Sequence, residues 1–137
     1  MKKLILLLLL FGIFFATSIR AETVLYCQTE LVTGFIKKNG VWKSANFHNE
    51  RHTVKFNHDY SRLEGMTTKP MECTTSYSFF PERIFCVHTW GSHETFLFNK
   101  ETNRFTFTKV STAGYTLNDS DEDTDTDTFL AGTCKVF

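Results

Sequence analysis

The stretch HETFLFNKETNRFTFTKV, residues 93–110, decides the fold, because it consists of two strand-like halves around a polar turn. Aromatic residues recur at every second position in each half, which is the period of a strand with one buried face. Phe96 and Phe98 share one face of the first half, and Phe105 and Phe107 share one face of the second. Pairing Phe98 with Phe105 places Phe96 opposite Phe107, so the sequence predicts a hairpin with a four-aromatic patch.

Short runs rich in β-branched and aromatic residues also precede and follow this hairpin, each between turn-forming residues. Asn39-Gly40 fits a two-residue hairpin turn, which needs positive φ. Residues 22–137 contain no run with the apolar spacing of a helix. The predicted strands, in chain order, are Thr23–Gln28, Leu31–Lys37, Val41–Phe47, Thr53–Asn57, Ser61–Met66, Cys73–Phe79, Arg83–Trp90, His93–Asn99, Asn103–Val110, Tyr115–Leu117 and Phe129–Val136.

This pattern predicts an all-β protein, a small antiparallel meander barrel or sandwich of about 8–10 short strands stapled by disulfides. Consecutive hairpins make an up-and-down meander the simplest connection. Twelve of the 15 phenylalanines lie within residues 22–137 and can fill the core of such a domain. No internal repeat or linker divides these residues, so we expect a single domain.

The first 21 residues have the layout of a secretory signal peptide. A basic start, Met1-Lys2-Lys3, precedes 13 apolar residues, Leu4 to Ala16, and a short polar segment follows. A membrane span needs about 20 apolar residues, so this run is too short to be one. We therefore expect cleavage after Ala21 or after Ser18, a periplasmic or secreted protein, and no membrane contact once the signal is removed.

Charge is balanced over the whole chain but unevenly distributed. A net charge of +0 excludes the strong basic bias of an ordinary nucleic-acid binder.

The segment 118–128 lacks the glycine and the glutamate that a calcium loop needs at its sixth and twelfth positions, so we expect a solvated acidic loop and no metal site. Its acidic residues are Asp119, Asp121, Glu122, Asp123, Asp125 and Asp127.

Four cysteines in a small exported domain predict two disulfides. Three connectivities are possible, and the sequence by itself does not choose among them. Cys73 and Cys86 flank a hairpin centred on residues 79–82, where they fall opposite each other within disulfide distance. This geometry favours a second bridge between Cys27 and Cys134, which would tie the first strand to the last. A zinc site is the competing interpretation, and no C-x-x-C spacing supports it.

Catalytic motifs do not stand out in this sequence. It has no G-x-S-x-G elbow and no glycine-rich phosphate loop, and oxidised cysteines would not act as nucleophiles. We therefore expect no enzymatic activity and no cofactor. The histidines, near the acids Glu94 and Asp59, are interpreted as polar residues of loops and strand ends, although His88 and His93 could approach each other across the turn between them. The five histidines are His48, His52, His58, His88 and His93.

Several short elements, taken together, resemble a group of small exported β-rich proteins from marine bacteria with AT-rich genomes. The resemblance covers most of residues 22–137 and implies no activity, substrate or catalytic residue. The matching elements are the Lys2-Lys3-Leu4 start of the signal, Tyr26-Cys27, Gly34-Phe35, Asn39-Gly40-Val41-Trp42-Lys43, Phe98-Asn99, Asn103-Arg104-Phe105, Ala113-Gly114-Tyr115, the Asp/Thr loop and the ending from Gly132 to Phe137.

A fainter likeness is to the periplasmic inhibitors of C-type lysozyme. Those proteins are small barrels that begin with a Tyr-x-Cys strand and have a disulfide to the C-terminal region. Tyr26 and Cys27 are adjacent in this chain, without the intervening residue, and no segment matches the inhibitory loop.

The functional hypothesis from the sequence is a non-enzymatic exported binding protein. One alternative is an inhibitor of a basic cell-wall hydrolase that inserts the acidic loop 118–128, since opposite charge steers encounter. Another is a carrier of a small apolar ligand. A structural protein that binds neither is the third, because fold does not fix function. The carrier predicts a cavity lined by Phe56, Phe96, Phe98, Phe105 and Phe107.

Overall fold

The computed structural model describes residues 21–75, 79–88, 92–111 and 126–137, and its regular structure there is entirely β. The predicted strand at residues 115–117 lies outside these ranges. No helix in the described part of the chain has the length and hydropathy to span a membrane. The strands are β1 Thr23–Lys38, β2 Val41–Asn46, β3 Arg51–Phe56, β4 Arg62–Glu64, β5 Met71–Thr74, β6 Arg83–His88, β7 Ser92–Asn99, β8 Arg104–Ser111 and β9 Thr126–Val136.

The strands form an antiparallel closed barrel, which decides between the two predicted architectures. From β3 to β9 each strand pairs with the next along the chain, as the meander prediction requires. The last strand then pairs with the first, over a register that includes Leu25 opposite Val136 and Ile36 opposite Thr126. This closure yields eight barrel strands, and β2 is the one additional strand, paired with β1.

One continuous strand replaces the two that the sequence predicts over residues 23–37. A bulge at Glu30 shifts the register between Thr29 and Leu31, so the side chains that face inward change from odd to even positions. Leu25 is buried before the bulge, and Val32 packs against the core after it. The alternation of apolar residues that is interrupted in the sequence therefore belongs to one strand, in which the extra residue Glu30 changes which positions face inward.

Aromatic rings fill the interior, and the hairpin at residues 93–110 is confirmed. Phe98 lies opposite Phe105 and Phe96 opposite Phe107, as predicted. All four are buried, and the ring centroids of Phe96 and Phe105 are 5.5 Å apart. Phe56 joins them from β3, with its ring 5.9 Å from that of Phe98. Aromatic rings at these separations add to the hydrophobic stabilisation of the core.

The four cysteines form the two disulfides that the strand register favours. Cys73 lies opposite Cys86 on β5 and β6, and Cys27 lies opposite Cys134 on β1 and β9, each with a Cα–Cα distance of 3.9 Å. The second bridge crosses the seam where the last strand meets the first. Since all four thiols are used, a cysteine zinc site is excluded.

Candidate functional site

The barrel interior changes from apolar to polar along its axis. The strand register divides its inward-facing residues on four strands into three rows. Each row is made of residues that lie opposite one another on β6, β7, β8 and β9. We call the third of them the polar row. The first row is Ile84, Phe98, Phe105 and Gly132; the second is Cys86, Phe96, Phe107 and Leu130; the third is His88, Glu94, Lys109 and Thr128.

A cleft of about 670 Å³, here called the mouth cleft, opens at the polar row. The residues of that row line it, and Phe107 and Leu130 of the second row lie on its apolar side. Val32, which faces inward because of the bulge in β1, lines it as well. The cleft therefore has apolar walls next to the packed core and polar groups beside them.

Two buried polar side chains meet in the polar row. Nδ1 of His88 lies 3.3 Å from Oε2 of Glu94, and these side chains are only 9% and 10% exposed. Both ring nitrogens of His88 are buried, and neither has a hydrogen-bond partner among the described residues, although Nδ1 lies within ion-pair distance of Glu94. A buried polar atom without a hydrogen-bond partner costs free energy, of the order of 1–3 kcal/mol. The His88 ring therefore marks a place in the cleft where a hydrogen-bond partner is missing.

A cation continues the row on the other side of Glu94. Lys109 lies directly opposite Glu94 on β8, and Thr128 lies directly opposite Lys109 on β9. Lys109 is partly buried and forms no ion pair with any described residue. The nearest carboxylate along the row is instead in contact with His88.

A second histidine and carboxylate line the same cleft from β3 and the segment before it. Nε2 of His52 lies 3.5 Å from Oε2 of Glu50. The backbone of Glu50 is held by Thr29, whose hydroxyl donates to the carbonyl of Glu50 and accepts from its amide N–H. Thr29 is fully buried just before the bulge, so the irregularity in β1 also positions this side of the cleft.

The structure separates the histidines that the sequence places near one another. His88 faces inward and contacts Glu94. His93 directly precedes Glu94 on β7 and is exposed, because successive residues of a strand point to opposite faces. His48 and His58 are exposed too. In the described part of the chain no group of three or more His, Cys, Asp or Glu side chains is arranged to hold a metal.

The two other predicted sites lie mostly outside the polar row, but each reaches the mouth cleft at one end. Phe56, Phe96, Phe98 and Phe105 pack on one another in the core, while Phe107 lies at the border of the mouth cleft. Of the predicted loop 118–128, the structure describes Thr126, Asp127 and Thr128, and these belong to strand β9 because they pair with β1 and β8, so the loop prediction is wrong for them. Oδ1 of Asp127 accepts a hydrogen bond from the N–H of Ser111 at 2.9 Å. The loop's remaining acids, Asp119, Asp121, Glu122, Asp123 and Asp125, lie outside the described residues.

Sequence reasoning missed Lys109 and Thr128, and it named His88 and Glu94 without pairing them. A usable signal was present, because the register that joins Phe98 to Phe105 also places Glu94 opposite Lys109. Fold and cleft together define a small disulfide-bonded β-barrel with a polar mouth. Comparison with protein-family models, with curated proteins and with solved structures finds no match for this chain.

Proposed function

We propose that this protein is an exported, non-catalytic binding protein that takes a small ligand into the mouth cleft. The observation that carries the proposal is the buried pair His88 and Glu94 of the polar row beside an open cleft. Folding by itself favours apolar residues at the third inward position of each strand, because burying His88 and Glu94 costs desolvation. A ligand that supplies partners to these groups gives a reason for keeping them.

The size and composition of the mouth cleft support a small-molecule ligand. Its volume of about 670 Å³ lies within the range of roughly 300–1,000 Å³ that is typical of such sites. Typical sites also combine an apolar wall with a few convergent polar groups. Phe107 and Leu130 provide the wall here, and the polar row provides the groups.

Export is supported by two independent features. Residues 1–21 have the three-part pattern of a signal peptide. Both disulfides suit an oxidising compartment, since thiols in the cytosol are kept reduced. We propose a periplasmic or secreted location on these grounds.

Native mass spectrometry of the protein recovered from a periplasm tests the proposal. Two variants with the same substitution provide the comparison: Val32→Trp fills the cleft, and Val110→Trp places the ring on the exposed outer face of β8. The wild type and Val110→Trp should retain a small-molecule adduct, and Val32→Trp should lose it. Bare wild-type protein, or an adduct that survives Val32→Trp, would count against a ligand in the mouth cleft.

A further inference from the structure

Lys109 is the only lysine or arginine among the described residues that line the mouth cleft. It is partly buried, and it forms no ion pair with a described residue, although Glu94 lies directly opposite it. The carboxylate of Glu94 is in contact with His88 instead. An ammonium group removed from water is stabilised when an anion faces it, so this position favours a negatively charged ligand group.

Apolar surface lies next to this cation. Phe107 precedes Lys109 by two residues on the same face of β8, and Leu130 of β9 lies directly opposite Phe107. Val32 lies opposite Leu130 on β1. The three side chains line the mouth cleft together, so a ligand whose anionic group reaches Lys109 would place its remaining part against them.

Hydroxyl groups complete the surroundings of the cation. Thr128 lies directly opposite Lys109, and Thr126 lines the same cleft two residues earlier on β9. A hydroxyl donates hydrogen bonds to carboxylate, sulfonate or phosphate oxygens without adding charge. The surroundings of Lys109 therefore combine one cation, neutral donors and an apolar wall with two carboxylates, Glu94 and Glu50, each of which contacts a histidine.

We propose that the ligand of the mouth cleft is an anionic amphiphile, with its charged group on Lys109 and its apolar body against Phe107, Leu130 and Val32. This inference rests on the proposed function, because it names the class of ligand for the same cleft. The carboxylate of Glu94 is on the His88 side of this arrangement, with Oε2 3.3 Å from Nδ1.

Two dyes that share one apolar body provide the test. 8-Anilinonaphthalene-1-sulfonate carries a sulfonate, and N-phenyl-1-naphthylamine is the same ring system without it. Fluorescence titrations of both dyes are compared for the wild type, Lys109→Met, Lys109→Arg and Lys43→Met. Lys43 is an exposed lysine on β2, so its substitution is the matched control. Near-UV circular dichroism establishes that each variant is folded.

The wild type should bind the sulfonate at least about tenfold more tightly than the neutral dye, which is the size expected of one charge-assisted hydrogen bond. Lys109→Met should remove that preference and leave the affinity for the neutral dye unchanged. Lys109→Arg should restore the preference, and Lys43→Met should behave as the wild type. If Lys109→Met does not fold, Lys109→Gln replaces it. Its preference for the sulfonate dye is then compared with that of the wild type and of Lys109→Arg.

The outcomes separate this inference from the proposed function. If both dyes bind the wild type equally well and Val32→Trp abolishes both, the cleft binds ligands and the anionic class is wrong. If a preference exists and Lys109→Met keeps it, the assignment to Lys109 is wrong. If neither dye binds the wild type, the proposed function fails and the inference fails with it.

Discussion

Oε2 of Glu94 lies 3.3 Å from Nδ1 of His88, inside a barrel whose next row of inward positions is apolar. The two residues lie opposite each other on β6 and β7, two positions along each strand from the opposed pair Cys86 and Phe96. Removing one partner of such a pair leaves the other buried without compensation, whereas removing both can be nearly neutral. This asymmetry gives the pair a measurable signature.

A double-mutant cycle on the pair should therefore be strongly non-additive. We expect His88→Leu and Glu94→Leu each to lower the free energy of unfolding by about 1–3 kcal/mol, because each leaves one buried polar group unpaired. The double variant should be more stable than the sum of these losses predicts. Urea denaturation of the four proteins measures this coupling, and additive losses would show that the contact contributes nothing.

The two disulfides should contribute unequally to stability. The Cys27–Cys134 bridge joins residues 107 apart, and the Cys73–Cys86 bridge joins residues 13 apart. In the chain-entropy model the long loop contributes about 4.7 kcal/mol and the short one about 3 kcal/mol. Replacing each cysteine pair by alanine and measuring urea denaturation tests this. A larger loss for the Cys73 and Cys86 pair would mean that loop entropy does not govern their effect.

Truncating a core ring should cost far more than truncating a surface ring. Phe96 is fully buried among other rings, whereas Phe129 on β9 is 41% exposed. Phe96→Ala should lower the free energy of unfolding by about 3–5 kcal/mol through the cavity it leaves. Phe129→Ala, the control, should cost much less, because surface substitutions stay near 0.5 kcal/mol. Similar losses for both would contradict the assignment of Phe96 to a tightly packed core.

The turn before β4 should respond to acid. Oδ1 of Asp59 accepts hydrogen bonds from the hydroxyl and then the backbone N–H of Ser61, and these hold the pKa of Asp59 below its ordinary value of 3.8. A lowered pKa stabilises the fold above the unfolded value and loses that effect as pH falls through the folded pKa.

Asp59→Asn should consequently melt below the wild type at neutral pH, and the gap should narrow in acid. Thermal melts at neutral pH and at an acid pH well below 3.8, at which both proteins still fold, measure the difference. Glu101→Gln, in the exposed turn after β7, serves as the control. An unchanged gap at both pH values would show that the carboxylate charge does not stabilise the turn.

Much of the fold follows from strand periodicity, because aromatic residues at every second position fix both register and the buried face. The pairing of Phe98 with Phe105 and that of Cys73 with Cys86 could be predicted for this reason. The same register places Glu94 opposite Lys109, so these two of the four residues in the polar row could be predicted from the sequence.

Other features depend on contacts that no local pattern reveals. The bulge at Glu30 has no glycine to mark it, yet it turns Val32 towards the cleft. The strand predicted over residues 61–66 ends at Glu64, because Gly65 adopts a φ of 92° and its Cα lies so close to the carbonyl of Thr53 that a side chain would not fit. The existence of the mouth cleft also depends on closure of the barrel, which is set by long-range pairing.

The most direct test of a ligand site in the mouth cleft is a two-dimensional ¹H–¹⁵N NMR titration of the wild type with 8-anilinonaphthalene-1-sulfonate. The largest shift changes should fall on the amides of Val32, Glu94, Lys109 and Thr128, which line the cleft from four strands. Changes confined to the exposed outer face, where Phe129 lies, or no saturable change at all, would contradict a ligand site in the mouth cleft.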